Sequence, residues 1–187
     1  MRKYTSFLLL LMLTLAVGSA QLVCAQDESD DPTTEQTPTK SKKKEVSPFL
    51  QAFKKVRTFN GKPNKKAKYY IYLQSAKWCG FCCKEMPDIV KEYKEMKKNG
   101  VEIILCSRDH TQDDAKAFIK EFGIRFPTVL DNNDKGLPLP GYTRAPGIPW
   151  AVFVDASGKA ISNGHGSSVK NWKQIIQKAE EASNPEE

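Results

Sequence analysis

Two runs of aromatic and β-branched residues, Lys68–Gln74 (KYYIYLQ) and Val101–Ser107 (VEIILCS), bracket a segment in which Met86, Ile89, Val90, Tyr93 and Met96 recur at helical spacing. The runs read as strands. The recurrence reads as a helix stopped by Asn99-Gly100. A strand, a helix and a strand in that order admit few folds: the strands pair in parallel, joined by a right-handed crossover, and both faces of the sheet need cover. The flanking sequence extends the pattern. Phe49, Leu50, Phe53 and Val56 share one helical face. Thr111 caps a helix over QDDAKAFIKEF, whose acids lie in the first turn, where the helix dipole favours them. RFPTVLD is extended, and residues 132–147, rich in Gly and Pro, read as a long loop. WAVFVD and AISNGHG form a hairpin about the turn ASGK. Ser167 or Ser168 then caps a last helix that buries Val169, Trp172, Ile175 and Ile176. The product is an α/β domain with a mixed central sheet and helices on both faces.

The ends of the chain are of a different kind. Arg2 and Lys3, the apolar core Phe7–Val17 and the small residues after it read as an export signal, cleaved after Ala25 or alternatively after Ala20. Gln21 breaks the apolar run short of the roughly 20 residues that span a bilayer, which sets a retained anchor second. Val23 is larger than the residue that usually precedes a lipid-modified cysteine, so Cys24 leaves with the signal. Residues 26–47 are polar and charged and cannot bury enough surface to offset their ordering entropy. The chain therefore divides into a signal (1–25), a tether (26–47), a folded domain (48–183) and a tail (184–187). It is expected to be exported, to the periplasm or outside the cell, and to be a monomer with no stable membrane span after cleavage. The formal charge of +7 includes a block at Lys40, Lys42, Lys43 and Lys44. No aromatic residue interleaves with it, which excludes a stacking groove for nucleic acid and leaves a solvated charge run.

Three of the five cysteines lie within Cys79–Cys83. Cys79-Gly80-Phe81-Cys82 follows a strand and opens a helix, the context of a redox pair. At a helix N-terminus, unpaired backbone N–H groups and the dipole stabilise a thiolate, and Lys77 adds positive charge. A lowered thiol pKa makes Cys79 the nucleophile, and Cys82, one turn on, can close a disulfide with it. A structural zinc site needs four ligands. Cys106 stands alone and the only histidines are His110 and His165, so no metal is expected.

The stretch WCGFCCKEMP resembles the active site of thioredoxin-like proteins, in which tryptophan precedes the first cysteine and proline follows it by eight residues. Pro87 has that offset and would kink the helix. The ending Cys82–Pro87, with PGIPWAVFVDASGKAI and GIRFPTVLD, looks most like the extracytoplasmic TlpA/ResA-like branch. The resemblance runs from about Phe49 to Ala182. It implies a three-layer thioredoxin-like fold and a thiol–disulfide oxidoreductase acting on protein thiols and disulfides, recharged by an upstream thiol reductant. It implies no cofactor beyond the Cys79–Cys82 disulfide. It further implies a cis peptide before Pro149, a substrate-side wall of Trp78, Ile148 and Pro149, and support from Gly80, Phe81, Glu85 and Pro87. There are departures. The buried acid that many thioredoxins place near the resolving cysteine falls on Leu73, the loop around LPLPGYTRAPG stands where a helix is common, and Gly80-Phe81 has neither Pro nor His.

Other readings compete. Cys83 is either a small buried helix residue or a partner for Cys106, which is otherwise core. Trp172 reads as core and Trp150 as groove or packing. A copper-binding metallochaperone of the same fold would use Cys79, Cys83 and His165, since soft thiolates and imidazole suit copper. A non-catalytic adaptor is opposed by the intact Cys-x-x-Cys, and a peroxidase by the lack of a separate peroxidatic cysteine motif.

Overall fold

The computed structural model of the chain describes residues 48–183. The export signal, Cys24, the tether and the tail lie outside them. The order is α1 (Pro48–Lys55), β1 (Thr58–Phe59), β2 (Tyr69–Ser75), α2 (Gly80–Lys98), β3 (Val101–Ser107), α3 (Gln112–Phe122), β4 (Thr128–Leu130), β5 (Trp150–Asp155), β6 (Ala160–His165), a 3-10 turn (Gly166–Asn171) and α4 (Trp172–Ser183). The strands form one sheet in the order β1-β4-β3-β2-β5-β6. β2, β3 and β4 run parallel, as their crossovers require, and β5, β6 and β1 are antiparallel to their neighbours.

Strand alternation sends side chains to two cores. Ile71, Leu73, Ile103, Leu105, Ala151 and Phe153 face one side, where Met86, Ile89, Tyr93 and Met96 of α2, Phe118 of α3, and Val169, Trp172 and Ile176 complete the packing. Tyr70, Tyr72, Ile104, Cys106, Val152 and Val154 face the other. There α1 supplies Phe49 and Ala52, and the 132–147 loop supplies Leu139 with Leu137 and Tyr142. The second layer is thus one short helix and a loop rather than a pair of helices. Pro and Gly forbid a helix in that loop, and it is fastened instead by side chains. Tyr72 Oη donates to Pro140 O (2.9 Å), and Asp131, wholly buried at the end of β4, accepts from Tyr142 Oη.

One local element was not legible, one boundary shifts, and one open alternative closes. The two-residue β1 was not legible. It pairs with β4, and Asn60, at φ 60°, donates from Nδ2 to Ile124 O and Phe126 O. The C-terminal helix starts later than a Ser167 or Ser168 cap requires. His165 caps a 3-10 turn first, its Nδ1 accepting from Ser167 N, while Ser168 Oγ is buried with no protein partner. Cys83 and Cys106 are free thiols. Cys106 lies in the core on the α1 side of the sheet, whereas Cys83 packs against the α2 side, so the sheet separates them.

Candidate active site

β2 ends inside the molecule, and the chain turns over Ala76–Trp78 into α2. Cys79 is the N-cap of that helix. Its backbone is extended (φ −91°, ψ 106°), its carbonyl accepts from Cys83 N (3.0 Å), and its Sγ accepts from Cys82 N (3.2 Å). A helix begins with N–H groups that lack intrahelical partners, and here one of them points at sulfur. Cys79 and Cys82 form a disulfide, with Cα atoms 5.2 Å apart. Cys82 is 1% exposed and Cys79 7%, so an incoming group meets Cys79 first.

The opposite wall is the start of β5. The register pairs Gln74 with Trp150, which sets the residues just before β5 beside the cysteine turn. The Ile148–Pro149 peptide is cis, and Ile148 O lies 3.7 Å from Cys79 Sγ. Trp78 and Phe81 form the rim and, among the described residues, are the two large apolar side chains most open to solvent, 59% and 72% exposed. The Trp78 indole N–H donates to Arg108 O (3.2 Å), and its ring lies nearly parallel to His110. Gly80 is exposed, and a Cβ there would meet nothing within 4 Å, so no steric need for glycine exists at that position. Lys77 turns its ammonium toward Glu121 (3.9 Å) rather than holding it for the thiols alone.

Glu85, one turn beyond Cys82, lies beside the cis peptide. Its Oε1 is 3.4 Å from His165 Nδ1, and its Oε2 is buried with no protein partner. Gly166 makes this packing possible, because a Cβ at that position would come within 2.6 Å of Pro149 Cβ and 2.8 Å of Glu85 Oε2. Pro87 lies inside α2, where it cannot donate to the Cys83 carbonyl. Cys83 Sγ donates instead to Lys77 O (3.2 Å). Burial, with Glu121 and Asp109 nearby, pushes the Cys83 thiol up, against the pull of Lys77 and its own backbone hydrogen bond. Cys79 is thus taken by Cys82, Cys83 by a carbonyl, and His165 by Glu85 and Ser167. Among the described residues no three His, Cys, Asp or Glu side chains gather as they would around a metal ion.

Sequence reasoning missed Asp109. It is buried at the end of β3, accepts from Lys77 N (2.9 Å) on Oδ1 and from Ser107 Oγ (2.8 Å) on Oδ2, and so fixes the turn that presents Trp78 and Cys79. The signal was there: a polar Ser-x-Asp directly after a buried apolar strand needs partners. Gln74 gave the same signal, a polar residue near the end of an apolar strand, and is wholly buried.

Residues 51–162 match the model of the AhpC/TSA family. The chain belongs to that family. The chain is 33% identical over 93 residues to the thiol-disulfide oxidoreductase ResA of Bacillus anthracis, covering 50% of this chain and 52% of that one. It is 32% identical over 84 residues to the ResA of Bacillus subtilis (strain 168), covering 45% of each. The chain spans about half the length of the curated relatives it matches. Among solved structures, a thiol:disulfide interchange protein of the thioredoxin family from Chlorobium tepidum TLS aligns with TM-score 0.51 at 27% identity, over 62% of this chain and 81% of that one. A putative protein disulfide isomerase from Bacteroides thetaiotaomicron aligns with TM-score 0.52 at 27% identity, over 67% and 82%. The thioredoxin-like α/β fold expected from the cysteine motif is therefore the fold of the chain. No helix among the described residues is long and apolar enough to cross a membrane.

Proposed function

We propose that this protein is an exported thiol–disulfide oxidoreductase whose reacting pair is Cys79 and Cys82. The carrying observation is the Cys79–Cys82 disulfide at the mouth of α2, with the Cys82 amide directed at Cys79 Sγ. In the reduced enzyme that amide and the helix dipole stabilise the Cys79 thiolate. The thiolate attacks one sulfur of a substrate disulfide. The new S–S bond forms as the old one breaks, and the displaced substrate sulfur leaves as a thiolate and takes a proton from solvent. Cys82, after losing its proton, attacks Cys79 Sγ and releases the second substrate thiol. Two electrons pass to the substrate, and Cys79–Cys82 returns to the disulfide. An upstream dithiol reverses that oxidation. Direction follows the difference in potential between the partners, and the reducing direction is the one that the resemblance to the extracytoplasmic TlpA/ResA-like branch implies.

Trp78, Ile148 and Pro149 serve as the substrate-side wall. An extended segment pairs with the backbone at Ile148 and lies against the exposed indole, a form of strand addition. Gly80, Phe81, Glu85 and Pro87 support the pair. Export is supported by the N-terminal pattern of Arg2, Lys3 and Phe7–Val17. The deciding experiment expresses Cys82→Ser in the producing cell. Without the resolving thiol, Cys79 should hold its partners as mixed disulfides that reductant releases. Cys79→Ser should trap none. A Cys82→Ser protein that captures no thiol-linked partner, with a wild type unable to reduce a generic disulfide, would sink this reading.

A further inference from the structure

The loop that carries Ile148 is not held by regular secondary structure. Residues 132–147 contribute no strand or helix, yet the Ile148 carbonyl must stand at a fixed distance from Cys79. Arg144 ties the loop to buried Asp131 through its side chain (Nε to Oδ2, 3.3 Å), and the Gln74 side chain holds the backbone on either side of it. Gln74 Nε2 donates to Thr143 O (2.7 Å), and its Oε1 accepts from Ala145 N (2.9 Å). Donation to one residue and acceptance from the next but one is the pattern by which a strand pairs with its neighbour. One buried amide thus acts as a single unit of extra strand for the loop.

Arg108 closes the arrangement from the end of β3. Its Nη1 donates to Ala145 O (3.1 Å) and to Gln74 Oε1 (3.3 Å). Its own backbone N donates to Ser75 O (2.9 Å), and its carbonyl accepts the Trp78 indole N–H. The two residues therefore bind both sides of the cleft: the turn that leads to Cys79 and the loop that leads to Ile148. They also occupy Thr143 O, Ala145 N and Ala145 O, so an arriving segment finds those groups already paired.

We propose that Gln74 and Arg108 form a clamp that sets the substrate register, positioning the backbone at Ile148 for extended polypeptide disulfides and playing no part in the exchange chemistry. The inference rests on the oxidoreductase reading and adds to it the two residues that set the loop, which matter for a disulfide in an extended peptide segment and not for a small disulfide that needs only Cys79. Neither side chain touches the sulfurs, and both act through the loop.

The test uses the full chain carrying Gln74→Met, Arg108→Met and both together. Rates are measured on the interchain disulfide of a linear peptide dimer and on a small aromatic disulfide, dithionitrobenzoate. Misplacing the binding backbone by about an ångström can cost up to about a hundredfold. Peptide kcat/KM should fall about tenfold or more, mainly through KM, while the small disulfide stays within about twofold. The double variant should lose no more than the worse single one, since both substitutions release the same loop. Equal losses on the two compounds, or no loss on either, would overturn the clamp. Arg108→Met keeps the backbone bonds to Ser75 and Trp78 and decides the matter if Gln74→Met does not fold. Should the wild type reduce neither compound, the oxidoreductase reading fails. The clamp is then judged by amide exchange over residues 143–148, which must speed up about tenfold in the variants to sustain it and overturns it by staying unchanged.

Discussion

At the scale of single residues, three thiols of one chain are set apart by what touches each sulfur. Cys79 Sγ accepts a helix N-terminal amide. Cys83 Sγ donates to a carbonyl and lies near Glu121 and Asp109, and its thiol is pushed up by burial first and by those carboxylates second. Cys106 is fully buried, and its thiol is pushed well up by burial and then by Asp131. Alkylating agents react with the thiolate, so these surroundings order the rates. In the reduced protein at neutral pH, iodoacetamide should modify Cys79 first, Cys83 only slowly unless the pH is raised, and Cys106 only after unfolding. Site-resolved mass spectrometry over time measures the order. Equal rates at Cys79 and Cys83 would mean that the helix terminus confers no special reactivity. The sequence held the pair but not its setting: Cys-x-x-Cys after a strand is local, whereas the carbonyl that meets Cys83 depends on how Lys77 turns before the helix.

At the scale of elements, the site exists because three of them end at one place. β2 stops before the cysteines, β5 begins after Pro149, and β6 passes into the 3-10 turn at Gly166, where Gly166 N donates to Pro149 O (3.0 Å). Gly166 also lies against Glu85, which ties the end of β6 to α2. An added Cβ there would enter the rigid Pro149 ring, which cannot rotate away. Gly166→Ala should therefore destabilise the fold by about 1–3 kcal/mol, the range for overpacking, and should lower the proposed disulfide reductase activity by displacing Pro149. Gly80→Ala provides the contrast, because that Cβ meets open space. Its stability should stay within about 0.5 kcal/mol of the wild type. Urea midpoints and kcat/KM on the two variants check both statements, and a Gly166→Ala protein as stable and active as Gly80→Ala would refute the packing argument. Elements of this length were readable from periodicity: β3 spans the residues of VEIILCS, and Thr111 caps α3, accepting from Asp114 N. The 3-10 turn was not readable, because its cap is a histidine that a sequence offers no reason to prefer over the two serines beside it.

At the scale of the whole molecule, the sheet divides the chain into two cores of unequal cover, and the order of strands and helices made that division legible. Which face would receive α3, and that a loop would close the other, was not, because both depend on crossover geometry and on long-range bonds such as Tyr72 Oη to Pro140 O. These bonds leave tyrosines buried on both faces. Tyr70 is pushed up to about 12 by burial and then by Glu102. Tyr72, Tyr93 and Tyr142 are raised further, in each case first by burial. A tyrosine is neutral in both states below its ordinary value near 10. Above that pH the unfolded chain releases the proton while the folded chain keeps it. The native state then binds more protons, and stability falls as pH rises, by about 1.4 kcal/mol per pH unit for each such group. The stabilisation is whole below pH ~10 and is lost progressively as pH rises from there through the folded values. Alkaline unfolding should therefore be steep, with the near-ultraviolet tyrosinate absorbance rising at the same midpoint as the loss of far-ultraviolet circular dichroism. Tyr72→Phe should reduce the slope by about one proton. If tyrosinate instead appeared smoothly near the ordinary value while the dichroism persisted, these hydroxyls would be in contact with water, and the loop-covered core would be more open than its packing implies.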